Sequence, residues 1–151
     1  MTVNTVNLEN FDRPHTTNAS VGGEPERRRR RAERPELALG YQLDQVVRDF
    51  ELRCCVLIDE QGQMVAASPD CPTPFMQALG GLAPTMAVVP EHREAHLETL
   101  RRHNPLLESE ELAVCAFRAG GRRLFVAAVG REAVMNEVAI FRAITGARRI
   151  L

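Results

Sequence analysis

Lysine is absent from this 151-residue chain, because all 19 of its basic residues are arginine. The absence excludes Schiff-base chemistry on a lysine and the phosphate-binding lysine of a P-loop. An excess of one charge sign is also lacking, since 20 acidic residues leave a formal net charge of -1. A general nucleic-acid binder is normally clearly basic, so we expect no specific nucleic-acid binding.

Long apolar runs are missing as well. None approaches the roughly 18 residues that a membrane-spanning helix needs, and the first residues lack the apolar core of a secretory signal. These absences predict a cytoplasmic protein with no transmembrane segment. A reducing cytoplasm keeps thiols free, and no CxxC pair suggests a structural zinc site. Of the four cysteines, we expect only Cys71, in a polar loop, to be exposed.

The composition changes near residue 35. Residues 1–34 contain few apolar side chains and carry seven arginines against five acidic residues. Residues 35–151 carry twelve arginines against fifteen acidic residues. A segment so poor in apolar surface cannot offset the entropy lost on ordering. We therefore predict a disordered arginine-rich tail over 1–34 and one α+β domain over 35–151.

The tail offers two candidate contact segments. An anionic lipid surface, nucleic acid or an acidic protein could contact its basic cluster, which consists of Arg27, Arg28, Arg29, Arg30, Arg31 and Arg34. We favour a solvated linker for this cluster, because Glu24, Glu26 and Glu33 weaken its field. The opening MTVNTVNLENF could dock in a partner's groove or on a partner's sheet edge through its β-branched residues, and simple disorder is the favoured alternative there.

The spacing of apolar residues predicts four helices and two β-hairpins. The hairpin strands are RCCVLIDE with MVAA, across a Gln-Gly-Gln turn, and ELAVCAF with RLFVAAV, across a loop with a glycine pair. Helices are predicted over 36–51, from residue 73 with a break or kink at Pro84, over 91–103, and over 131–147. In the last helix Val134, Val138, Phe141 and Ile144 form one apolar stripe, with Met135 and Ile140 alongside, and we expect this side to face the core.

Motifs that carry chemistry are nearly absent. No dinucleotide-binding, P-loop, nucleophile-elbow or HExxH pattern occurs, so we expect no catalytic residues, no cofactor and no enzymatic activity. His92, His96 and His103 fall on one face of the predicted charged helix. His92 and His96, four residues apart, are weak candidates for a shared metal ion. A solvated, mildly pH-sensitive helix face is the favoured alternative, so no bound metal is expected.

Three segments resemble the roadblock (dynein light chain roadblock) family, within the longin and profilin-like group. CCVLIDEQGQMVAAS is similar to that family's first hairpin, TPFMQALGGLAPTMA to its second helix, and RRLFVAAVGREAVMNEVAIFRAI to its last strand and closing helix. The resemblance implies a central antiparallel sheet of about five strands flanked by helices. It also implies a homodimeric or heterodimeric adaptor that modulates a small Ras-like GTPase or a signalling or polarity complex.

The middle of the chain departs from this pattern. Where the family has a strand soon after the second helix, this chain reads EHREAHLETLRRHNPLLES, which is polar and helical in character. Either Met86 to Val89 forms a short version of that strand, or the fold differs. The alternative is a domain that resembles GAF-like small-molecule sensors, in which such middle segments wall a ligand pocket. A domain of about 117 residues with 5% aromatic content is small for that class.

Overall fold

A computed structural model describes residues 34–151 of the chain. The predicted order of helix, hairpin, helix, helix, hairpin, helix is confirmed. Four α-helices and four strands follow one another as α1 (Pro35–Phe50), β1 (Cys54–Asp59), β2 (Met64–Ala67), α2 (Thr73–Val88), α3 (Arg93–Leu100), β3 (Leu112–Ala119), β4 (Arg122–Val129) and α4 (Ala133–Ile150). Short 3-10 turns at Pro90–His92 and Ser109–Glu111 precede α3 and β3.

The four strands form one antiparallel sheet in the order β2-β1-β4-β3. The two hairpins therefore join through their inner strands, β1 and β4, with Cys54 opposite Val129 and Asp59 opposite Leu124. Strands β2 and β3 lie at the two edges. The turn of the first hairpin is fixed by Asp59, whose carboxylate accepts the amides of Gln61 and Gln63 at 2.9 Å each.

Helices cover both faces of the sheet. Helices α1 and α4 pack on one face and α2 and α3 on the other, so each face has its own apolar core. The inner strands are buried on both sides, which explains why β1 reads as a continuous apolar run in the sequence. No helix within residues 34–151 has the length and apolar character that crossing a membrane requires.

Two details of the predicted fold are wrong. The part of the chain that the structure describes contains a four-stranded sheet, not one of about five strands. Of the two alternatives for Met86 to Val89, the short strand is excluded, because α2 ends at Val88 and Val89 is its C-cap. Of the predicted break or kink at Pro84, the break does not occur, since α2 continues through Pro84. Pro84 removes one backbone donor, and the packing of Leu79, Ala83 and Met86 on the sheet holds the helix together despite that loss.

Candidate functional site

Helix α4 turns its largest apolar side chains outward. Val134, Val138 and Phe141, which we expected in the core, are 69%, 48% and 76% exposed. We call these three residues the α4 stripe. The buried face of the helix consists instead of Asn136, Ala139, Ile140, Ala143, Gly146 and Ala147. The helix therefore exposes three large apolar side chains to solvent and buries mainly small ones. Exposed apolar patches of this kind are typical of an interaction surface.

The small residues of α4 are needed because α1 approaches closely. Gln42 of α1 lies directly over Gly146, where a Cβ atom would overlap the Gln42 side chain. The Gln42 amide donates to the carbonyl oxygen of Arg142 at 3.5 Å. Arg142 in turn pairs with Asp49 at 3.0 Å and stacks over the Phe50 ring at 5.1 Å. These contacts fix the rotation of α4 about its axis, and this rotation places the α4 stripe in solvent.

A groove of about 650 Å³ runs between α4 and the edge strand β3. We call it the β3–α4 groove. Its lining from the strand includes Ala113 and Cys115, whose side chains point toward α4. Its lining from the helix includes Ile140, Phe141 and Glu137. Because the strand contributes small side chains, a shallow apolar space remains beside the exposed edge of the sheet.

The hydrogen-bonding pattern of β3 follows from its turn. Gly120 and Gly121 have φ angles of +59° and +74°, which identify a two-residue turn that only glycine adopts easily at both positions. In such a hairpin the closing pair, Ala119 with Arg122, is hydrogen-bonded, and every second residue is paired in the same way. The amides and carbonyls of the alternate residues point to the open edge; these are Leu112, Val114, Ala116 and Arg118.

Arginine side chains cover both ends of that edge. Arg93 of α3 donates to the carbonyl of Leu112 at 2.6 Å and to that of Ser109 at 2.7 Å. At the other end, Arg148 of α4 donates to the carbonyl of Arg118 at 3.0 Å. Covered edges of this kind protect a sheet from uncontrolled strand addition. Among residues 34–151, only the segment from Val114 to Ala116 remains open. The one bond that these residues make to its outward groups is a weak contact from the Cys115 thiol to the Ala116 carbonyl at 3.4 Å.

A buried asparagine anchors the start of β3 to α4. The Asn136 side-chain amide donates to the carbonyls of Glu110 and Glu111 at 3.2 and 3.1 Å. Its Oδ1 atom is buried and has no hydrogen-bond partner. Glu111 also forms an ion pair with Arg53 at 2.7 Å, which ties the same corner to β1. These bonds therefore fix the position of the start of β3, on one side of the β3–α4 groove, relative to α4 on the other side.

The three histidines that we predicted on one helix face lie in three different local structures. His92 ends a 3-10 turn, His96 lies in α3, and His103 follows that helix, so the three do not share one helical face. The rings of His92 and His96 have their centroids 6.3 Å apart, and Nδ1 of His96 is buried without a hydrogen-bond partner. Within residues 34–151, no group of three or more His, Cys, Asp or Glu side chains is arranged to hold a metal ion.

The four cysteines are free, and one prediction about them is wrong. Cys71 is buried, because its side chain packs with Cys54 and Phe75 in the core below α2 although its loop is polar in sequence. A hydrogen bond between the two thiols raises the pKa of Cys54 and lowers that of Cys71. Burial raises the pKa of Cys55 to about 12. Cys115 is the partly exposed thiol, and it lies in the β3–α4 groove.

Most of the predicted tail site lies outside the described residues. Arg27 to Arg31 belong to the part of the chain for which the structure gives no description, and Arg34 is exposed immediately before α1. The structural signal that local sequence patterns missed is the α4 stripe. Its residues were recognised as apolar, and only the close contact between α1 and α4 shows that they face solvent.

The fold is similar to that of a solved roadblock/longin-fold protein, which agrees with the resemblance of the three sequence segments. A solved structure with this fold, MglB of Myxococcus xanthus, is similar to the chain with a TM-score of 0.50. The two are 14% identical over 76% of this chain and 87% of that one. No protein-family model and no curated protein matches the sequence. At that identity the likeness concerns the fold alone.

Proposed function

We propose that this protein is a non-enzymatic, dimeric roadblock-like adaptor of the cytoplasm that modulates a small Ras-like GTPase or a signalling complex. The α4 stripe is the observation that supports an adaptor. Three large apolar side chains lie one turn apart on one helix face, and each is about half or more exposed. Burying a side chain of this size is worth about 1.5–3 kcal/mol. A partner that covers the stripe would therefore gain several kcal/mol from burying these side chains, which helps to offset the entropic cost of association.

The identity of the partner comes from the roadblock resemblance. That family presents dimeric platforms to small GTPases and to motor or polarity complexes, and the fold of this chain agrees with the resemblance. The α4 stripe is rimmed by charged residues, including Glu137 and Arg131, as expected at the border of an apolar contact. A small GTPase, or a second subunit with an apolar strip of its own, fits this surface.

The small-molecule sensor is the weaker alternative. It required a long middle helix to wall a ligand pocket, whereas the middle of the chain contains a 3-10 turn followed by the eight-residue α3. Helix α3 also packs below the sheet, on the face opposite α4. A thermal-shift panel of nucleotides and small metabolites tests this alternative directly. Strong stabilisation by one metabolite would favour a sensor.

Affinity purification from the native cell, with light scattering on the purified protein, tests the adaptor proposal. We expect a dimer and the co-purification of a small GTPase or another signalling protein. Phe141→Ser should weaken the captured interaction at least about tenfold, since it removes one large apolar contact. Leu106→Ser is the matched control, because Leu106 is 84% exposed and lies outside the α4 stripe. A monomer that retains no partner, or equal binding by both variants, would contradict the proposal.

A further inference from the structure

The open part of the β3 edge is short. Arg93 and Arg148 occupy the carbonyls near its two ends, so a partner strand as long as β3 would have to displace both side chains. A segment of about five residues can pair with Val114 to Ala116 and leave the two arginines in place. The edge therefore favours a short extended segment over the long strand of a second copy.

The first eleven residues of the chain have the composition of such a segment. Apolar residues in 1–33 are concentrated there, as Val3, Val6, Leu8 and Phe11. No charged side chain occurs before Glu9, and the other uncharged stretch of the tail, residues 14–23, contains one large apolar side chain, Val21. The segment up to Leu8 therefore combines several large apolar side chains with uncharged neighbours, so these side chains can lie in an apolar groove without burying a charged one.

The spacing within the segment matches the groove. Side chains two residues apart on a strand point to the same face, so Val6 and Leu8 would point together. The groove presents two small side chains at the same spacing, Ala113 and Cys115 on β3. The small side chains of Ala113 and Cys115 therefore leave room for two branched side chains next to Ile140 and Phe141.

The tail can reach the groove. Helices α1 and α4 run antiparallel, since Gln42 contacts Gly146 while Asp49 contacts Arg142. At 1.5 Å per residue, Arg34 lies about 25 Å along the helix axes from the groove beside Glu137. A random-coil chain of about 26 residues, the sequence separation of Leu8 from Arg34, has a root-mean-square span of about 28 Å. This span matches the distance, and such a match maximises the effective concentration of a tethered segment.

We propose that the β3–α4 groove is an intramolecular docking site for residues 1–11, which add a short extended segment to the edge of β3 between Val114 and Ala116. The docked segment covers Phe141 from the strand side. It therefore occupies one end of the α4 stripe and competes with any partner that uses this end. The proposal concerns the isolated chain and does not depend on which partner the adaptor binds.

Disulfide trapping in the full-length chain tests the proposal. Val6→Cys and, in a separate variant, Leu8→Cys each place a thiol in the segment, and native Cys115 supplies the thiol of the groove. Ser20→Cys is the control, because for a free linker positions 6 and 20 should reach the groove at rates within a few fold. With oxidised glutathione present, we expect an intramolecular bond to Cys115 to form about tenfold faster from position 6 or 8 than from position 20. Phe141→Ser should reduce that advantage.

Three results would overturn the proposal. Equal trapping rates for the segment variants and Ser20→Cys would show a free tail. Dominant bonds between Cys115 residues of two molecules would assign the groove to a second copy. An advantage that Phe141→Ser leaves unchanged would place the segment outside this groove. Each result is read from the masses of the linked peptides, and none requires the GTPase or another partner.

Discussion

At the residue scale, the buried thiols act as small apolar side chains. Cys55 has no solvent-accessible surface, and its backbone amide donates to the Ser68 hydroxyl at 3.0 Å. Loss of its proton would place a charge inside the core between α1 and the sheet, which burial strongly disfavours. Because its pKa is raised in the folded protein, this thiol makes the stability of the protein depend on pH in the alkaline range.

The pKa of Cys55 predicts a fall in stability above pH 9. In the unfolded chain the thiol loses its proton near its ordinary value of 9.0, whereas in the folded chain it keeps the proton to about pH 12. The free energy of unfolding should fall by about 1.4 kcal/mol per pH unit in this window from Cys55 alone. Urea unfolding at pH 8, 9 and 10 should show a shallower fall for Cys55→Ala than for Cys115→Ala. Parallel pH profiles would contradict this account.

The sequence predicted correctly that Cys54 and Cys55 are buried, but it did not predict that the side chain of Cys71 points into the core. Cys54 and Cys55 lie in an apolar run, so their burial follows from the pattern. Cys71 lies between Asp70 and Pro72, and its polar neighbours suggested an exposed loop. The loop itself is at the surface, but this one side chain turns inward against Phe75. The composition of the neighbouring residues does not predict this inward orientation of the Cys71 side chain.

At the element scale, helix positions were predictable and helix faces were not. The caps, prolines and glycine turns located all four helices and both hairpins. For α4, periodicity selected the largest apolar residues as the core face, yet the contact with α1 selects the face with Ala143, Gly146 and Ala147. Helix pairs whose axes come close need small residues where they cross, and this requirement depends on the partner helix. The described residues form no fifth strand for a similar reason, because α2 continues to Val88 through most of Met86 to Val89, the segment for which a short strand was one of two alternatives.

The crossing of α1 and α4 predicts opposite effects for two glycine substitutions. Gly146→Ala should lower the free energy of unfolding by about 1–3 kcal/mol, since the new methyl group overlaps the buried Gln42 side chain. Gly81→Ala in α2 should raise it by about 0.5–1 kcal/mol, because that position is helical, exposed and free of neighbours within 4 Å. Urea unfolding of both variants measures the difference. Equal effects would mean that the two helices do not meet at Gly146.

At the scale of the whole molecule, charge is divided between the tail and the rest of the chain. The near-neutral total conceals an arginine-rich segment over 1–34 and a net-acidic remainder. Contact with an anionic partner is therefore expected from the tail. This division was visible in the sequence, and it stays a prediction because the arginine run lies outside the described residues.

The basic cluster predicts salt-sensitive binding that is separable from folding. Replacing Arg27 to Arg31 with glutamine should weaken binding to vesicles of anionic phospholipid by about 1 kcal/mol per arginine at low salt. The urea midpoint should stay unchanged, since the substituted residues precede every described helix and strand. Arg122→Gln with Arg123→Gln is the matched control, because both side chains are exposed on β4. Equal vesicle binding by the two variants would place the anionic contact elsewhere.

Helix α1 is synthesised well before α4, the helix on which it packs. Gln42 and its hydrogen-bond partner Arg142 are 100 residues apart in sequence. At about 5–20 residues per second, roughly 5–20 s pass between the synthesis of these two residues. During that interval Leu39, Leu43 and Val46 of α1 have no helix beside them, while each hairpin can form from local contacts alone. The nascent chain should therefore be a chaperone client until α4 has left the ribosome.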